Sequence, residues 1–552
     1  MKPASPDQRG RLSRRGFLRR SISGAALAAA FPAVTIIERA HPPSAPPADV
    51  RTGELDEITI SELAEGMKNG SLSSHSITEK YLARIEAVDR QGPSVNSIIE
   101  LNPDALETAD ALDSERKEKG PRSPLHGIPL LIKDNIDTAD RLSTTAGSLA
   151  LVGAQPPADA FLVHQLRRAG AVLLGKTNLS EWANIRSTHS TSGWSGRGGL
   201  TRNPYALDRN TSGSSSGSAA AVAANLCAAA VGTETDGSIV SPSSINGIVG
   251  IKPTVGLISR TGVVPISHSQ DTPGPMARSV QDAAILLNAL VGVDRDDPAT
   301  QSAPGKLTDY TLHLDPNGLK GARIGVVRKY FGFLPAVDEI MASALDTLKA
   351  QGAILVDPAD IPTLGKFDDA ESLVLRYELK ADLNAYLARL GPGAPVHTLK
   401  DIIAFNDNNA STEMPYFGQE TFLKAESLGP LTSKEYLSAL GKCRQLSRKE
   451  GIDAIMNGKK LDALIAPTDA PGWVTDLILG DHYVGGSSTA AAVAGYPSVT
   501  VPAGFVYGMP VGISFFGRPW TEASLITLAF AFEQATRIRR PPRFLPTAGM
   551  NR

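Results

Sequence analysis

The sequence predicts an α/β protein in which a single large domain has a mixed central β-sheet covered by helices on both sides. Short apolar runs alternate with helical stretches along the chain, a pattern typical of strands buried between helices. The composition, 42% hydrophobic and 20% charged over 552 residues, supplies a sizeable core and excludes a disordered chain. The predicted strands are Ile128–Ile132, Ala171–Leu174, Ile248–Ile251, Ile324–Val327, Leu464–Ala466 and Val499–Val501.

The first 40 residues predict an export signal. They contain eight basic and two acidic residues, and the pair Arg14-Arg15 precedes an apolar stretch, Ile22–Ile37. A basic segment followed by a short apolar segment is typical of a secretory signal, and paired arginines are typical of the twin-arginine route. We therefore expect a periplasmic or secreted protein with no stable membrane insertion after signal cleavage. A retained membrane anchor is the alternative, but Gly24 and Pro32 interrupt the apolar stretch.

Charge separates this signal from the rest of the chain. The whole chain has a formal net charge of −2 although its first 40 residues are strongly basic, so the remainder is acidic. An acidic body lacks the basic surface that a nucleic-acid-binding protein needs, and we expect no nucleic-acid partner. A proline-rich linker is predicted at residues 41–55, followed by one domain at residues 56–545 that is a monomer or a homodimer.

Helices are predicted before, within and after the sheet core. Residues Ile60–Val88 have the apolar spacing of two amphipathic helices, with a capping box formed by Ser76 and Glu79. A more polar, mostly helical insertion is predicted between two core segments, and another helix follows the last strand. The core segments are predicted at about 120–300 and 460–545, and the insertion between them at about 301–460. The last helix is predicted at Glu522–Glu533.

Glycine and serine dominate one segment, which begins with the run Thr211–Ser218. Such a run is not expected inside a strand or helix, because these residues favour turns and leave backbone donors free. A small-residue stretch follows, Ala219–Val231, which predicts a closely packed helix, and then a second loop, Gly232–Val240. Two loops with free N–H groups around a short helix predict a site that stabilises an anion.

One interpretation of these serines is the nucleophile turn of an α/β-hydrolase. The run Gly213–Gly217 matches the pattern G-x-S-x-G, with Ser215 as the nucleophile and His482 as the best-placed histidine. That pattern needs a strand leading directly into the serine, whereas residues 201–210 are polar and include Pro204. A short pattern in a loop rich in serine and glycine also arises easily by chance, so we disfavour this interpretation.

A second interpretation uses a lysine as the base. Lys133 ends the apolar run Ile128–Ile132, which predicts that its side chain is buried. Burial lowers the pKa of an amine because desolvation disfavours the charged form, and a neutral amine can accept a proton from a hydroxyl group. Lys133 and the two serine loops together predict a serine nucleophile that is activated by lysine.

Several long motifs in this chain resemble those of the amidase signature family. The resemblance runs from about residue 60 to residue 540, implying the amidase signature fold and amide hydrolysis. Within the family, Lys176–Asn184 and Asp236 are most similar to the bacterial peptide amidases, which remove the C-terminal amide of peptides. The motifs include Leu125–Asn135, the two serine loops, Gly247–Thr254, Val501–Gly504 and Met509–Ile513.

The resemblance assigns a role to each candidate site residue. By position, Ser238 corresponds to the acylated nucleophile, Ser214 to a bridging serine in a cis peptide bond, and Lys133 to the base. This chemistry implies no cofactor and no metal, and the nine histidines are scattered singly without zinc-ligand spacing. The backbone N–H groups that correspond to the oxyanion hole belong to Thr235, Asp236, Gly237 and Ser238.

Two departures from the family pattern bear on the substrate. The family often has glycine where this chain has Asp236, and arginine where this chain has Val240. Without that arginine the pocket is less cationic, which argues against an acidic small molecule. The expected reaction is the deamidation of C-terminal peptide amides or similar small-molecule amides through an acyl-enzyme. The alternatives are a glutamine-hydrolysing protein like the amidotransferase component that feeds ammonia to glutamyl-tRNA, an aryl or fatty acylamidase with esterase activity, and an exported binding protein on an inactive scaffold.

Four residues have open roles. Asp134 and Asp236 either orient the site through hydrogen bonds or lie on its solvated rim. Cys227 and Cys443 either pair in an oxidising compartment or remain free thiols. Cys227 follows the sequence Ala-Asn-Leu, which favours a buried thiol that behaves as a small apolar residue.

Overall fold

The structure, a computed structural model, describes residues 53–549 and contains a central sheet of eleven strands. A separate two-stranded hairpin is formed by β4 (Trp194–Ser195) and β5 (Gly199–Leu200). The strands of the central sheet are β1 (Ile98–Leu101), β2 (Pro129–Lys133), β3 (Val172–Thr177), β6 (Ala229–Glu234), β7 (Val249–Lys252), β8 (Thr272–Ala277), β9 (Arg323–Val326), β10 (Ile354–Val356), β11 (Ala463–Pro467), β12 (Ser498–Val506) and β13 (Met509–Phe516).

The central sheet has the order β1-β3-β2-β6-β8-β7-β12-β13-β11-β9-β10. The pairs β2–β3, β2–β6, β9–β10 and β9–β11 are parallel, and the other neighbours are antiparallel. The predicted α/β fold with a mixed sheet is therefore confirmed. Each of the six predicted strands is present; four shift by one residue at their ends, whereas β3 and β12 continue three and five residues beyond their predicted ends.

Helices cover the sheet. The predicted amphipathic pair is confirmed as α1 (Ile60–Asn69) and α2 (Ser74–Arg84), and the predicted C-terminal helix as α16 (Glu522–Thr536). The helices between them are α3 (Ala105–Lys119), α4 (Phe161–Ala169), α5 (Ser216–Ala223), α6 (Val240–Ile245), α7 (Val280–Leu290), α8 (Pro335–Ala350), α9 (Asp368–Arg389), α10 (Leu399–Asn408), α11 (Ala410–Glu413), α12 (Glu420–Glu426), α13 (Lys434–Arg444), α14 (Asp453–Lys459) and α15 (Thr489–Ala494).

The parallel pairing of β2 with β6 positions the site. Ile132 lies opposite Val231, so the two strands run side by side and end at the same edge of the sheet. Both strands are fully buried, which suits the apolar residues of β2 and the small residues of β6. The polar residues at the ends of these strands, Lys133 as the last residue of β2 and Thr233 as the second-last of β6, are therefore brought together.

Two predictions about local structure are wrong. The small-residue helix predicted over Ala219–Val231 ends at Ala223, and the last part of that stretch belongs to β6. Alanine and valine pack equally well in a buried helix and in a buried strand, so the apolar pattern alone could not separate the two. The capping box predicted at Ser76 and Glu79 begins three residues earlier, because Ser73 is the N-cap and exchanges hydrogen bonds with Ser76.

The stretch 301–460 contains helices α8 to α14, and it also contributes β9 and the edge strand β10 to the central sheet. Its first part is therefore continuous with the sheet. The predicted export signal and most of the predicted linker lie outside the described residues, and N-terminal sequencing of protein recovered from the periplasm tests that prediction. Across residues 53–549, none of the helices combines the length and apolar character needed to cross a bilayer.

Candidate active site

Lys133, the last residue of β2, is fully buried, as the apolar run before it predicts. Its Nζ atom lies 2.8 Å from Ser214 Oγ, 2.9 Å from Thr233 Oγ1 and 3.3 Å from the Thr233 carbonyl oxygen. Burial lowers the pKa of this amine to about 7, although the negative charges of Asp271 and Glu234 oppose that shift. Near neutral pH a large fraction of Lys133 is therefore uncharged and able to accept a proton.

Thr233 and Asn135 fix the position of this amine, and neither was identified from the sequence. Asn135 Nδ2 donates to Thr233 Oγ1 at 3.0 Å, and that same hydroxyl oxygen contacts Lys133. The two N–H bonds of a neutral lysine can point at Thr233, which leaves the lone pair directed at Ser214. Thr233 was missed because its strand, β6, was divided between a predicted helix, Ala219–Val231, and a predicted loop, Gly232–Val240.

The two serine loops lie side by side. Ser214 is fully buried, and its peptide bond to Gly213 is cis, as the resemblance implies. The N–H group of Ser215 donates to the carbonyl oxygen of Ser238 at 3.1 Å, which joins the two loops directly. Ser238 is 8% exposed, and within residues 53–549 its hydroxyl group has no hydrogen-bond partner. The structure thus brings Lys133 and Ser214 into contact and joins their loop to that of Ser238, whose hydroxyl makes no hydrogen bond to Ser214.

The loop that leads to Ser238 presents unused backbone donors. The N–H groups from Thr235 to Ser238 donate to no other group in the described part of the chain. The turn after them is held by Glu234, because its Oε2 accepts from Ile239 N at 2.8 Å and from Val240 N at 3.0 Å. Converging donors held in a fixed loop can stabilise a developing oxyanion.

The alternative pairing of Ser215 with His482 is excluded. Ser215 is fully buried, and its hydroxyl is hydrogen-bonded to the backbone carbonyl and N–H of Thr233 at 3.1 and 3.2 Å. His482 instead contacts Asp476 at 3.1 Å, at an exposed position. Ser215 therefore supports the loop.

Asp134 is not a rim residue. It is fully buried, accepts hydrogen bonds from the Thr145 hydroxyl and from Gly147 N, and lies 3.6 Å from an Arg197 nitrogen. Burial raises the pKa of this carboxyl. Its contacts hold the chain that follows Lys133, which is an orienting role.

Asp236 lies in the oxyanion loop and is half-buried. It accepts a hydrogen bond from Ser488 Oγ at 2.5 Å, and burial raises the pKa of its carboxyl. This contact connects the loop to the residue before α15. Asp236 therefore supports the oxyanion loop.

One group of side chains has the chemistry of metal ligands. In the described part of the chain, His268, Glu378 and Asp382 place ligand atoms within 4.8 Å of one another. Their atoms already have protein partners, since Glu378 accepts from Ser269 Oγ at 2.7 Å and Asp382 contacts His268 at 2.9 Å. These contacts hold the loop that contains His268 and Ser269.

The two cysteines, Cys227 and Cys443, are free, buried thiols.

Close packing around α5 predicts a large effect of adding one methyl group. A Cβ atom at Gly217 would lie 2.2 Å from the Ser97 carbonyl oxygen and 2.5 Å from that of Asn178, and backbone atoms cannot move away cheaply. Gly217→Ala is therefore expected to lower the free energy of unfolding by about 2–3 kcal/mol. Chemical denaturation followed by circular dichroism measures the change.

Gly441→Ala is the matched control for this substitution. Gly441 lies on α13, and nothing would come within 4 Å of its added Cβ. Because alanine is a better helix former than glycine, this variant is expected to gain up to about 1 kcal/mol. Equal stabilities of the two variants would contradict the packing described for α5.

The chain is similar to known amidases over most of its length. The Amidase family model matches residues 76–526. A probable amidase of Arabidopsis thaliana is 44% identical over 504 residues, which are 90% of this chain and 93% of that protein. The crystal structure of the native peptide amidase from Stenotrophomonas maltophilia has a TM-score of 0.85 at 50% identity and covers 89% of this chain and 99% of that one. A glutamyl-tRNA(Gln) amidotransferase chain of Acinetobacter baumannii is 35% identical over 88% of this chain and 97% of that protein.

Proposed function

Since this chain belongs to the amidase family and is an amide-hydrolysing enzyme, we propose that it deamidates C-terminal peptide amides through Lys133, Ser214 and Ser238. One observation carries the proposed mechanism: the buried Lys133 amine lies 2.8 Å from Ser214, in a loop hydrogen-bonded to that of Ser238. A pKa of about 7 suits a general base at neutral pH.

In the proposed reaction, protons move through the hydroxyl of Ser214. The Ser238 hydroxyl turns toward Ser214, passes its proton to Ser214 Oγ and attacks the amide carbonyl carbon, while Ser214 passes its own proton to Lys133. The oxyanion is stabilised by the free N–H groups of the Thr235–Ser238 loop, where one such donor is typically worth about 3–4 kcal/mol. Ser214 then donates one proton to the leaving nitrogen and regains one from Lys133, so the Lys133 amine is neutral again and ammonia departs.

The second half of the reaction releases the acid. The acyl group is now an ester of Ser238, and a water molecule takes the position of the departed ammonia. Lys133 accepts a proton from this water through Ser214, and the resulting hydroxide attacks the ester carbon. Collapse of the second tetrahedral intermediate breaks the bond to Ser238 and returns the proton to its oxygen. The net change is one amide plus one water to one acid plus ammonia.

The proposed substrate class rests on two supports. A solved structure 50% identical to this chain is that of a peptide amidase. Val240, in place of the arginine that the family often has, leaves no cation at that position to bind a second carboxylate of a small acidic substrate. A glutamine-hydrolysing function is the second candidate, because glutamyl-tRNA(Gln) amidotransferase chains are among the relatives.

A comparison of four substrates tests this proposal. The protein is incubated with a C-terminally amidated peptide, free glutamine, a long-chain fatty amide and an aryl amide, and the release of ammonia or amine is measured. We expect kcat/KM for the peptide amide to exceed the others by about tenfold or more, because remote contacts contribute to the transition state.

The same peptide with a free carboxyl terminus is the control and releases no ammonia. Mass spectrometry confirms that only the terminal amide has become an acid. A preference for glutamine would support the amidotransferase-type alternative, and a preference for the fatty or aryl amide would support an acylamidase.

A further inference from the structure

Asp271 connects the oxyanion loop to the loop that precedes β8. Its Oδ1 accepts a hydrogen bond from the Thr235 hydroxyl at 2.6 Å. Its Oδ2 accepts from the backbone N–H groups of Ile266 and Ser267, both at 2.8 Å. The carboxylate is therefore fixed by two backbone donors on one side and holds the first residue of the oxyanion loop on the other.

The neighbouring residue, Gln270, holds Thr235 from a second direction. Its Nε2 donates to the Thr235 carbonyl oxygen at 3.3 Å and to Glu371 Oε1 at 2.9 Å. Glu371 lies in α9, so Gln270 connects Thr235 to this long helix. With both its hydroxyl and its carbonyl held, Thr235 has little freedom to rotate, and the peptide groups after it keep their direction.

Asp271 also acts on Lys133 through its charge. Of the groups that affect the Lys133 amine, the carboxylate of Asp271 is the strongest that favours the protonated form. Burial raises the pKa of Asp271 itself to about 6, so it is mostly charged at the pH where Lys133 titrates. The ionisable groups that line the cavities beside Asp271 or interact with its charge are Lys133, Glu234, Arg260, His268, Asp296, Asp297, Asp382, Tyr386 and Arg389.

We propose that Asp271 is a positioning residue of this active site, which holds Thr235 so that the oxyanion donors keep their direction and which sets the charge balance at Lys133. It touches neither the substrate nor the reacting serines and acts through Thr235 and Lys133. The inference rests on the proposed function, since it assigns Asp271 a part in that reaction.

The test compares Asp271→Asn with the wild-type enzyme on an amidated peptide across pH. An asparagine oxygen can accept from Thr235 or from the two backbone groups, but its NH₂ group cannot replace the second carboxylate oxygen. We expect kcat to fall about tenfold or more while KM stays within about threefold, because oxyanion contacts form in the transition state. The acid limb of the pH profile, which is the fall in kcat/KM as Lys133 becomes protonated at low pH, is expected to move about 0.5 pH unit or more to lower pH. The reason is that Lys133 loses a negative neighbour, which lowers its pKa.

Two further variants separate the charge from the hydrogen bond. Asp271→Glu keeps the charge but misplaces the oxygens, so its acid limb should return toward that of the wild type while kcat stays low. Thr235→Val removes the donor without changing the charge, so it should lower kcat without moving the acid limb. It also remains informative if Asp271→Asn does not fold. The double variant Thr235→Val/Asp271→Asn should have a kcat only slightly below that of Asp271→Asn alone, because both substitutions act on the same hydrogen bond.

Asp382→Asn is the matched control. Asp382, in α9, accepts a hydrogen bond from His268 N at 2.9 Å. His268 lies on the same loop as Asp271, but Asp382 makes no hydrogen bond to Thr235. We expect this variant to change kcat by no more than about twofold and to leave the acid limb at its wild-type pH. A folded Asp271→Asn variant with wild-type kcat and acid limb, or one no different from Asp382→Asn, overturns the positioning role.

Labelling by a fluorophosphonate probe distinguishes this result from failure of the proposed function. The probe reacts when the serine oxygen bonds to phosphorus and fluoride leaves, and the reaction does not depend on the identity of the amide substrate. If the wild-type protein labels at Ser238 and the Asp271 variants behave as it does, only the positioning role fails. If the wild-type protein neither labels nor hydrolyses any amide, the proposed function fails and the role of Asp271 fails with it.

Discussion

Replacing Ser238 with alanine is expected to lower the rate of amide hydrolysis by about 10⁴-fold or more, because the proposed acyl-enzyme can then no longer form. The Ser238 hydroxyl has no hydrogen-bond partner in the described chain, so its loss should change the free energy of unfolding by no more than about 0.5 kcal/mol. Hydrolysis of an amidated peptide and labelling by a fluorophosphonate probe measure the effect, and thermal unfolding confirms that the variant is folded.

Ser215→Ala is the matched control for Ser238→Ala. Ser215 is the nucleophile of the excluded α/β-hydrolase interpretation, and in the structure its hydroxyl contacts only the backbone of Thr233. We expect Ser215→Ala to retain labelling at Ser238, with a rate reduced by the loss of loop support. Mass spectrometry of the labelled peptide identifies the modified serine. A label on Ser215, or full activity of Ser238→Ala, would refute the proposed nucleophile.

The apolar strands could be predicted from the sequence because they are buried on both faces. Runs such as Leu130–Ile132 and Val499–Val501 contain large or branched apolar residues, which indicate a buried strand without any alternating pattern. Two central strands lack that signal. β6 consists mainly of small residues, and β8 contains Pro273 and Pro275, which normally argue against a strand inside a sheet.

These missed strands explain which site residues could not be predicted. Lys133 was identified because the run before it is apolar, and the serines because their loops match a family pattern. Thr233 is the second-last residue of β6 and Asp271 immediately precedes β8, so their positions near Lys133 depend on the pairing of strands that the sequence did not reveal. Strand order is a long-range property, and hydrophobic periodicity reports only local structure.

Replacing Lys133 with methionine is expected to lower kcat/KM by about 10²–10⁴-fold, because methionine fills a similar volume but accepts no proton from Ser214. The pH profile gives the more specific result. Burial lowers the Lys133 pKa to about 7, and only the neutral amine is active, so wild-type kcat/KM should fall as the pH drops below about 7. The methionine variant should lose that acid limb, as measured by hydrolysis of one peptide amide across pH.

Lys176→Met separates the role of Lys133 from the general cost of removing a buried lysine. Lys176 lies on the adjacent strand β3 and is also fully buried, but its amine donates to Ile136 O at 2.7 Å and Thr144 Oγ1 at 2.9 Å and contacts neither Ser214 nor Ser238. Its loss should therefore lower stability and leave the acid limb near pH 7. If Lys133→Met keeps a wild-type acid limb, or if Lys176→Met removes it, the titrating base is not Lys133. The proton would then have to leave Ser214 by a route other than the amine 2.8 Å away.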